Sequence, residues 1–282
     1  RHGFKSYGRT LHAAYFKAAH ELNPELEARY GANRLGLTRQ LHFSPRSEKS
    51  LDVTLSLNGI PVATVELKNP LTGQRVEDAR RQYKQDRDPR EPIFEFKRRT
   101  LVHFAADTES VLMTTRLAGT ATHFLPFNKG CDGGAGNPPD PAGRTYRTAY
   151  LWEEVLQRDS LLDLLARFIH LQIDEKRDDQ GRKVKAESMI FPRYHQLQAV
   201  RMLVESARTD GVGHNYLVEH SAGSGKSNTI GWLTHRLASL HDPANQRVFD
   251  NVIVVTDRVV LDQQLQDTIY QFEHKRGVVQ RI

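Results

Sequence analysis

The chain has 282 residues, 38% hydrophobic and 26% charged, with a formal net charge of +6 and a pI near 9.4. That length leaves room for roughly two domains of ordinary size, and the composition is that of a soluble globular protein and not of a disordered or membrane-spanning one. Cys131 is the only cysteine, which excludes an intrachain disulfide and a Cys-based zinc site and makes a reducing, cytoplasmic setting the expectation. No apolar run nears the ~20 residues needed to cross a bilayer. The chain opens on Arg1, with no Met and no charged-apolar-small leader pattern, which points to a natural N-terminus further upstream.

Residues 1 to about 150 mix strand-like runs with loops. Within them, Leu51-Asp52-Val53-Thr54-Leu55-Ser56-Leu57 alternates apolar and polar residues, Asn58-Gly59 is a hairpin turn signal, and Ile60-Pro61-Val62-Ala63-Thr64-Val65-Glu66-Leu67-Lys68 returns before Asn69-Pro70 ends the run. Side chains alternate faces along a strand, so Glu66 and Lys68 point the same way. Cutting a phosphodiester requires a hard cation on carboxylate oxygens, an attacking water and a positive group near both. Asp52 and Glu66 can hold Mg²⁺, and Lys68 can orient or deprotonate the water and stabilise the developing charge. A salt bridge between Glu66 and a neighbouring base is the plainer reading of the same residues.

Register decides between the two. A two-residue Asn58-Gly59 loop pairs Leu57 with Ile60 and hence Asp52 with Val65, which separates Asp52 from Glu66 across the sheet. A three-residue loop, with Gly59 left-handed in a bulge, returns them to one face and gathers Val53, Leu55, Ala63, Val65 and Leu67 on the other. A bulged hairpin of that kind is therefore expected.

Between Arg80 and Arg99, eight Lys/Arg against four Asp/Glu give a window of net +4, whose commonest meaning is a solvated helix face. Gly and Pro cluster in a turn-rich loop from Gly130 to Gly143. Leu151, Val155, Leu161, Leu162, Leu164, Leu165 and Ile169 form an apolar stripe of helical type. The polar run Glu175 to Glu187 is the best linker candidate. From Phe191 onward helix, strand, Gly-rich loop, helix and strand alternate, an order that predicts parallel strands in an α/β layer.

The sharpest motif lies there. Asn215-Tyr216-Leu217-Val218-Glu219 reads as a strand, Ser221-Ala222-Gly223-Ser224-Gly225-Lys226-Ser227 as a phosphate-cradling loop, and a helix is expected from near Asn228. Gly223 and Gly225 let backbone N–H groups, with that of Ser224, turn toward phosphate oxygens, and the helix N-terminus adds positive potential. Lys226 would reach the β- and γ-phosphates of ATP, and Ser227 would ligate Mg²⁺. His220 stands where the general pattern has glycine, which suits the helicase version of the loop. Upstream, the Gln196 amide offers a donor and an acceptor side by side, as adenine N6 and N7 require. Downstream, Asn251 to Thr256 reads as a buried strand followed by Asp257-Arg258-Val259-Val260-Leu261-Asp262-Gln263-Gln264. These elements resemble the adenine-reading motif, motif I and motif Ia of superfamily 2 helicases. The Asp-Glu pair expected next has not appeared by Ile282, so these 282 residues should stop inside the first motor lobe and lack ATPase activity of their own.

The stretch Ser50 to Arg99 resembles the endonuclease domain of type I restriction enzyme motor (R) subunits, through Leu51-Asp52, Asn58-Gly59, Pro61, Val65-Glu66-Leu67-Lys68, Gln82-Tyr83 and Arg87. Leu112 to Leu117, Phe124 to Asn128 and Tyr150 to Glu154 continue the likeness. The resemblance implies an α/β chain: a PD-(D/E)xK nuclease domain of the restriction-endonuclease-like or RecB type over 1–150, a helical connector and linker over 151–190, and a partial RecA-like helicase lobe over 191–282. It makes Gln82 and Tyr83 a helix-borne catalytic element and Glu21 a candidate for a further carboxylate. It implies Mg²⁺ and ATP as cofactors, double-stranded DNA and the methyltransferase and specificity subunits as partners, no membrane, and cleavage of unmodified DNA coupled to translocation. The basic window would then lie along the DNA backbone. Two rivals keep the Lys226 loop: a superfamily 2 translocase or remodeller without nuclease activity, in which Asp52 and Glu66 are structural, and a small-molecule kinase or switch.

Overall fold

The computed structural model describes residues 3–19, 23–177, 182–256 and Ile269. The chain divides into two units, residues 1–16 with 28–166 and residues 17–27 with 167–282. Glu21 and the run Asp257 to Gln264 lie outside the described residues.

A short hairpin, β1 (Phe4–Ser6) and β2 (Arg9–Leu11), precedes helix α1 (Pro24–Gly31). The body of the first unit is a six-stranded mixed sheet in the order β3 (Leu35–His42), β4 (Ser50–Leu57), β5 (Ile60–Leu67), β6 (Val102–Ala106), β7 (Val111–Thr114) and β8 (Leu125–Pro126). Neighbours are antiparallel except β5 and β6. A parallel pair needs a crossover, and this one carries helix α2 (Val76–Gln85). The burial follows position. The edge strand β3 is mostly exposed, while all five residues of β6 are buried, as a central strand covered on both faces requires. On α2, Val76, Ala79 and Tyr83 are the buried stripe at helical spacing and join Leu51, Phe94 and Ala105 in one apolar cluster. The helix starts where Asp107 Oδ2 accepts the Val76 N–H at 2.8 Å and Asp78 Oδ2 accepts the Arg75 N–H at 2.8 Å, a carboxylate cap on free backbone donors.

The Gly/Pro loop is irregular, as read. The apolar stripe is buried throughout, carried by α3 (Arg158–Asp163) and the π-helical turns Leu151–Val155 and Leu164–Phe168 on either side of it, with Ile169 just past the last turn. The expected linker is not one. Residues 175–177 and 183–187 are arms of the antiparallel hairpin β9 (His170–Arg177) and β10 (Lys183–Ile190). Composition alone misses such a hairpin because its stability comes from main-chain pairing. Helices α4 (Tyr194–Asp210) and α5 (Lys226–Ala238) follow. The strands expected at 215–219 and 251–256 are absent: both runs lack strand structure, and Leu217 and Val255 are among the most exposed apolar side chains. A strand is held by its ladder, and neither run has a partner strand among the described residues. No helix among the described residues is long and apolar enough to cross a membrane.

Candidate functional site

The β4–β5 hairpin sets the first candidate site. Leu57 pairs with Ile60 and Ser56 with Pro61, so the turn is a two-residue one, and Asn58 (φ 50°) and Gly59 (φ 84°) both take the left-handed backbone such a turn demands. The three-residue loop expected from the sequence is therefore incorrect. The bulge is nevertheless present, three residues further on: Leu55 pairs with Ala63, which leaves Val62 without a partner on β4. Thr54 then faces Thr64 and Val53 faces Val65, so Asp52 comes opposite Glu66 and on its face. The paired register stops at Val53–Val65, and Asp52 Oδ2 instead accepts the Leu67 N–H at 2.8 Å while Oδ1 accepts from Gln40 Nε2 at 3.1 Å.

Glu66 is fully buried. Its Oε1 accepts from Arg87 Nε at 2.8 Å and Nη2 at 2.6 Å, and its Oε2 has no hydrogen-bond partner among the described residues. Burial pushes the Glu66 carboxyl up to about 7; Arg87 opposes the rise, and the Asp52 carboxylate, within hydrogen-bonding range, adds to it. Two carboxylates crowded together need a proton or a cation between them. A bare buried oxygen beside a second carboxylate is a donor set that suits a hard divalent ion keeping several waters. No group of three or more His, Cys, Asp or Glu gathers among the described residues.

Lys68 lies just past the end of β5, half-buried, its N–H donating to Ala106 O at 2.9 Å. Asp78 is held below the usual carboxylate range mainly by the Arg75 N–H, with smaller contributions from the Arg81 guanidinium and then from Lys68. Gln82 is half-buried on α2, while Tyr83 is fully buried with its hydroxyl 2.8 Å from Thr64 Oγ1. Thr64 Oγ1 is in turn 2.8 Å from His103 Nδ1. The Tyr83 hydroxyl therefore sits in a buried polar chain beneath the carboxylates, and burial raises its pKa well above the ordinary value.

Burial lowers the pKa of His103 to about 3. An unfolded chain takes up that proton near pH 6.5, so His103 contributes stability that is present above pH 6.5 and is lost as the pH falls toward 3. Between about pH 4.5 and 7 the raised Glu66 works in the opposite sense, so the informative quantity is the difference between variants at each pH. Urea midpoints of His103→Gln should fall less steeply than the parent's from pH 6.5 to 4; parallel profiles would refute this.

Arg87 is the residue that sequence reasoning misplaced. It was read with its neighbours as backbone-contacting charge, yet it is 3% exposed and committed to Glu66. Much of the remaining window is locally neutralised, Arg80 by Glu77, Arg81 by Asp78, Arg90 by Asp88 and Arg98 by Glu95.

The second candidate site is the Gly-rich loop. Gly223 (φ 73°) and Gly225 (φ 82°) are left-handed, and Lys226 is the first residue of α5, two positions earlier than expected. Lys226 Nζ donates to His220 O at 2.8 Å and Ser221 O at 2.9 Å, closing the loop on itself. Ser227 is half-buried beside it, and Ser224 is buried with its Oγ unpartnered among the described residues. Gln196 is buried: Nε2 donates to Ser224 O at 3.1 Å and Gly225 O at 2.9 Å, and Oε1 accepts from Arg193 N at 2.9 Å. A Cβ at Gly225 would stand 2.5 Å from Gln196 Nε2, so this position needs glycine for space as well as for φ. With both Nε2 hydrogens engaged, Gln196 could donate to adenine N7 only by releasing one of these bonds, while Oε1, which accepts one, keeps a second lone pair for the N6 amino group.

Residues 22–122 match the family described as the type I restriction enzyme R protein N terminus, and residues 195–281 match the SWI2/SNF2 ATPase family. The first match contains Asp52, Glu66, Lys68 and Arg87, the second Gln196 and the Gly-rich loop. The chain is 25% identical over 247 residues to the type I restriction enzyme HindI endonuclease subunit of Haemophilus influenzae, an alignment covering 85% of this chain and 22% of that subunit. It thus spans about a fifth of the length of the curated relative it matches. An R-protein N terminus and an ATPase region in this order, with a relative that runs across both, support a fragment of a type I restriction enzyme R subunit.

Proposed function

We propose that the first unit is a Mg²⁺-dependent endonuclease of PD-(D/E)xK type, and that 191–282 opens the RecA-like lobe of an ATP-driven DNA translocase. The boundaries proposed on the chain are 1–150 for the nuclease, 151–190 for the connector and 191–282 for the motor segment. The complete subunit would act with methyltransferase and specificity subunits to cut unmodified double-stranded DNA. The observation that carries this reading is the convergence of Asp52 with the bare, buried Glu66 oxygen at the open end of the hairpin.

Bound to Asp52 and Glu66, Mg²⁺ would supply Lewis acidity toward the phosphate and a more acidic water. Asp52 holds its carboxylate in place through the Leu67 N–H and Gln40. Glu66 presents one oxygen because Arg87 holds the other. Lys68, just beyond on the same strand, orients the water and stabilises charge on the phosphate. Gln82 and Tyr83 support the site from α2. On the motor side Lys226 and Ser227 would engage the phosphates and Mg²⁺ of ATP, with Gln196 near the base. The test is plasmid cleavage by the full-length subunit with its partners, ATP and Mg²⁺, comparing parent with Glu66→Ala. Loss of cutting with ATP hydrolysis retained is expected. Unimpaired cutting would take Glu66 out of the chemistry, and no cutting by the parent would leave a translocase without a nuclease, in which the Arg87–Glu66 ion pair is structural.

A further inference from the structure

Arg87 follows α2 by two residues, and its guanidinium has partners on two strands. Nη2 donates to Ser50 O on β4 at 2.8 Å, two residues before Asp52, and Nε and Nη2 both donate to Glu66 Oε1 on β5. The guanidinium also lies over the Phe43 ring, 5.4 Å from its centroid. Next to it, Lys49 Nζ reaches Asp86 O at 3.3 Å and Asp86 Oδ1 at 3.2 Å, so the end of α2 is tied twice to the start of β4. These ties fall just past the last recorded β4–β5 pair, where the ladder no longer fixes the spacing of the two carboxylates.

Three features decide what Arg87 does. Its side chain is 2% exposed, which leaves no surface for a DNA phosphate. The Ser50 carbonyl and the Phe43 ring hold it in addition to Glu66, so the guanidinium has partners that a cation on Glu66 would not displace. It spends both Glu66 bonds on one oxygen and leaves the other bare. A fully buried carboxylate without such a partner would turn away or take up a proton. We infer that Arg87 is the positioning residue of the metal site: its fork ties β4 to β5 and orients Glu66 so that Oε2 and Asp52 present a half-shell to one divalent cation.

This inference rests on the nuclease reading, and the experiment separates the two. Mn²⁺ is titrated into the chain without nucleotide and free ion is followed by its EPR signal, for the parent, Asp52→Asn, Arg87→Met and Arg87→Lys; thermal melts check folding. The parent should bind and Asp52→Asn should not. Arg87→Met should bind at least about tenfold more weakly, the usual loss when a partner that orients a ligand is removed. Arg87→Lys keeps the charge but not the fork, and should fall between the two. DNA affinity without metal should stay within about twofold of the parent in both Arg87 variants, since a phosphate contact would lower it. Parent-like Mn²⁺ affinity in Arg87→Met overturns the role of Arg87 and leaves the nuclease reading intact. If Arg87→Met does not fold, parent-like affinity in Arg87→Lys overturns it instead. No Mn²⁺ binding by the parent overturns both.

Discussion

In the full-length subunit with its partners, Asp52→Asn should lower Mg²⁺-dependent DNA cleavage by about three orders of magnitude, roughly 4 kcal/mol of barrier, and leave ATP hydrolysis within about twofold. The substitution is chosen for what it keeps. An asparagine oxygen can still accept the Leu67 N–H that Asp52 Oδ2 accepts now, so the splayed end of the hairpin keeps its tie. What goes is one of two negative charges. Beside Glu66, whose own charge is already opposed by burial and partly balanced by Arg87, that loss leaves too little to hold a divalent cation. The same change removes a like charge next to Glu66, so thermal stability should hold or rise slightly, which separates this outcome from simple unfolding. Cleavage within tenfold of the parent, from a folded protein, would remove Asp52 from the chemistry.

Lys226→Ala should produce a different pattern: ATP hydrolysis by the full-length subunit down by about a hundredfold or more, with ATP-dependent cleavage lost alongside, and Mn²⁺ binding by the first unit unchanged. Removal of one positioned donor to developing charge typically costs about 10²–10³ in rate. In the nucleotide-free chain the Lys226 ammonium bridges two carbonyls of its own loop, His220 O and Ser221 O. Nucleotide must therefore draw it away, and a variant without it should show weaker ATP binding as well as slower turnover. Retained ATPase activity would take the Gly-rich loop out of the motor reading.

The hairpin was legible because period-two alternation and Asn58-Gly59 are local signals. The need for an odd residue was legible too, from the requirement that Asp52 and Glu66 share a face. Its position was marked only by Pro61 immediately before Val62, since proline inside a sheet is tolerated chiefly at edges and bulges, and Gly59 met the demand of the tight turn instead. Arg87 was hidden for a different reason. The likeness marks Arg87 among eight bases within twenty residues but gives it no role, and only the tertiary packing sets it against Phe43 and Glu66. The loop around Gly223 and Gly225 stood out because glycine conformation is a property of the residue, whereas the flanking runs at 215–219 and 251–256 were read as strands from apolar character alone. Strand structure depends on neighbours, and that information is not contained in either run.

The displaced bulge has a consequence for how this hairpin tolerates change. Any apolar side chain of similar size could stand at 62, because what matters there is that a residue exists. Excising it would turn one half of the acidic pair to the opposite side of the sheet while every side chain of the pair stayed chemically intact. Lengthening or shortening the ribbon by two would keep Asp52 and Glu66 on one face, and by one would part them, so their meeting is encoded in arithmetic as much as in chemistry.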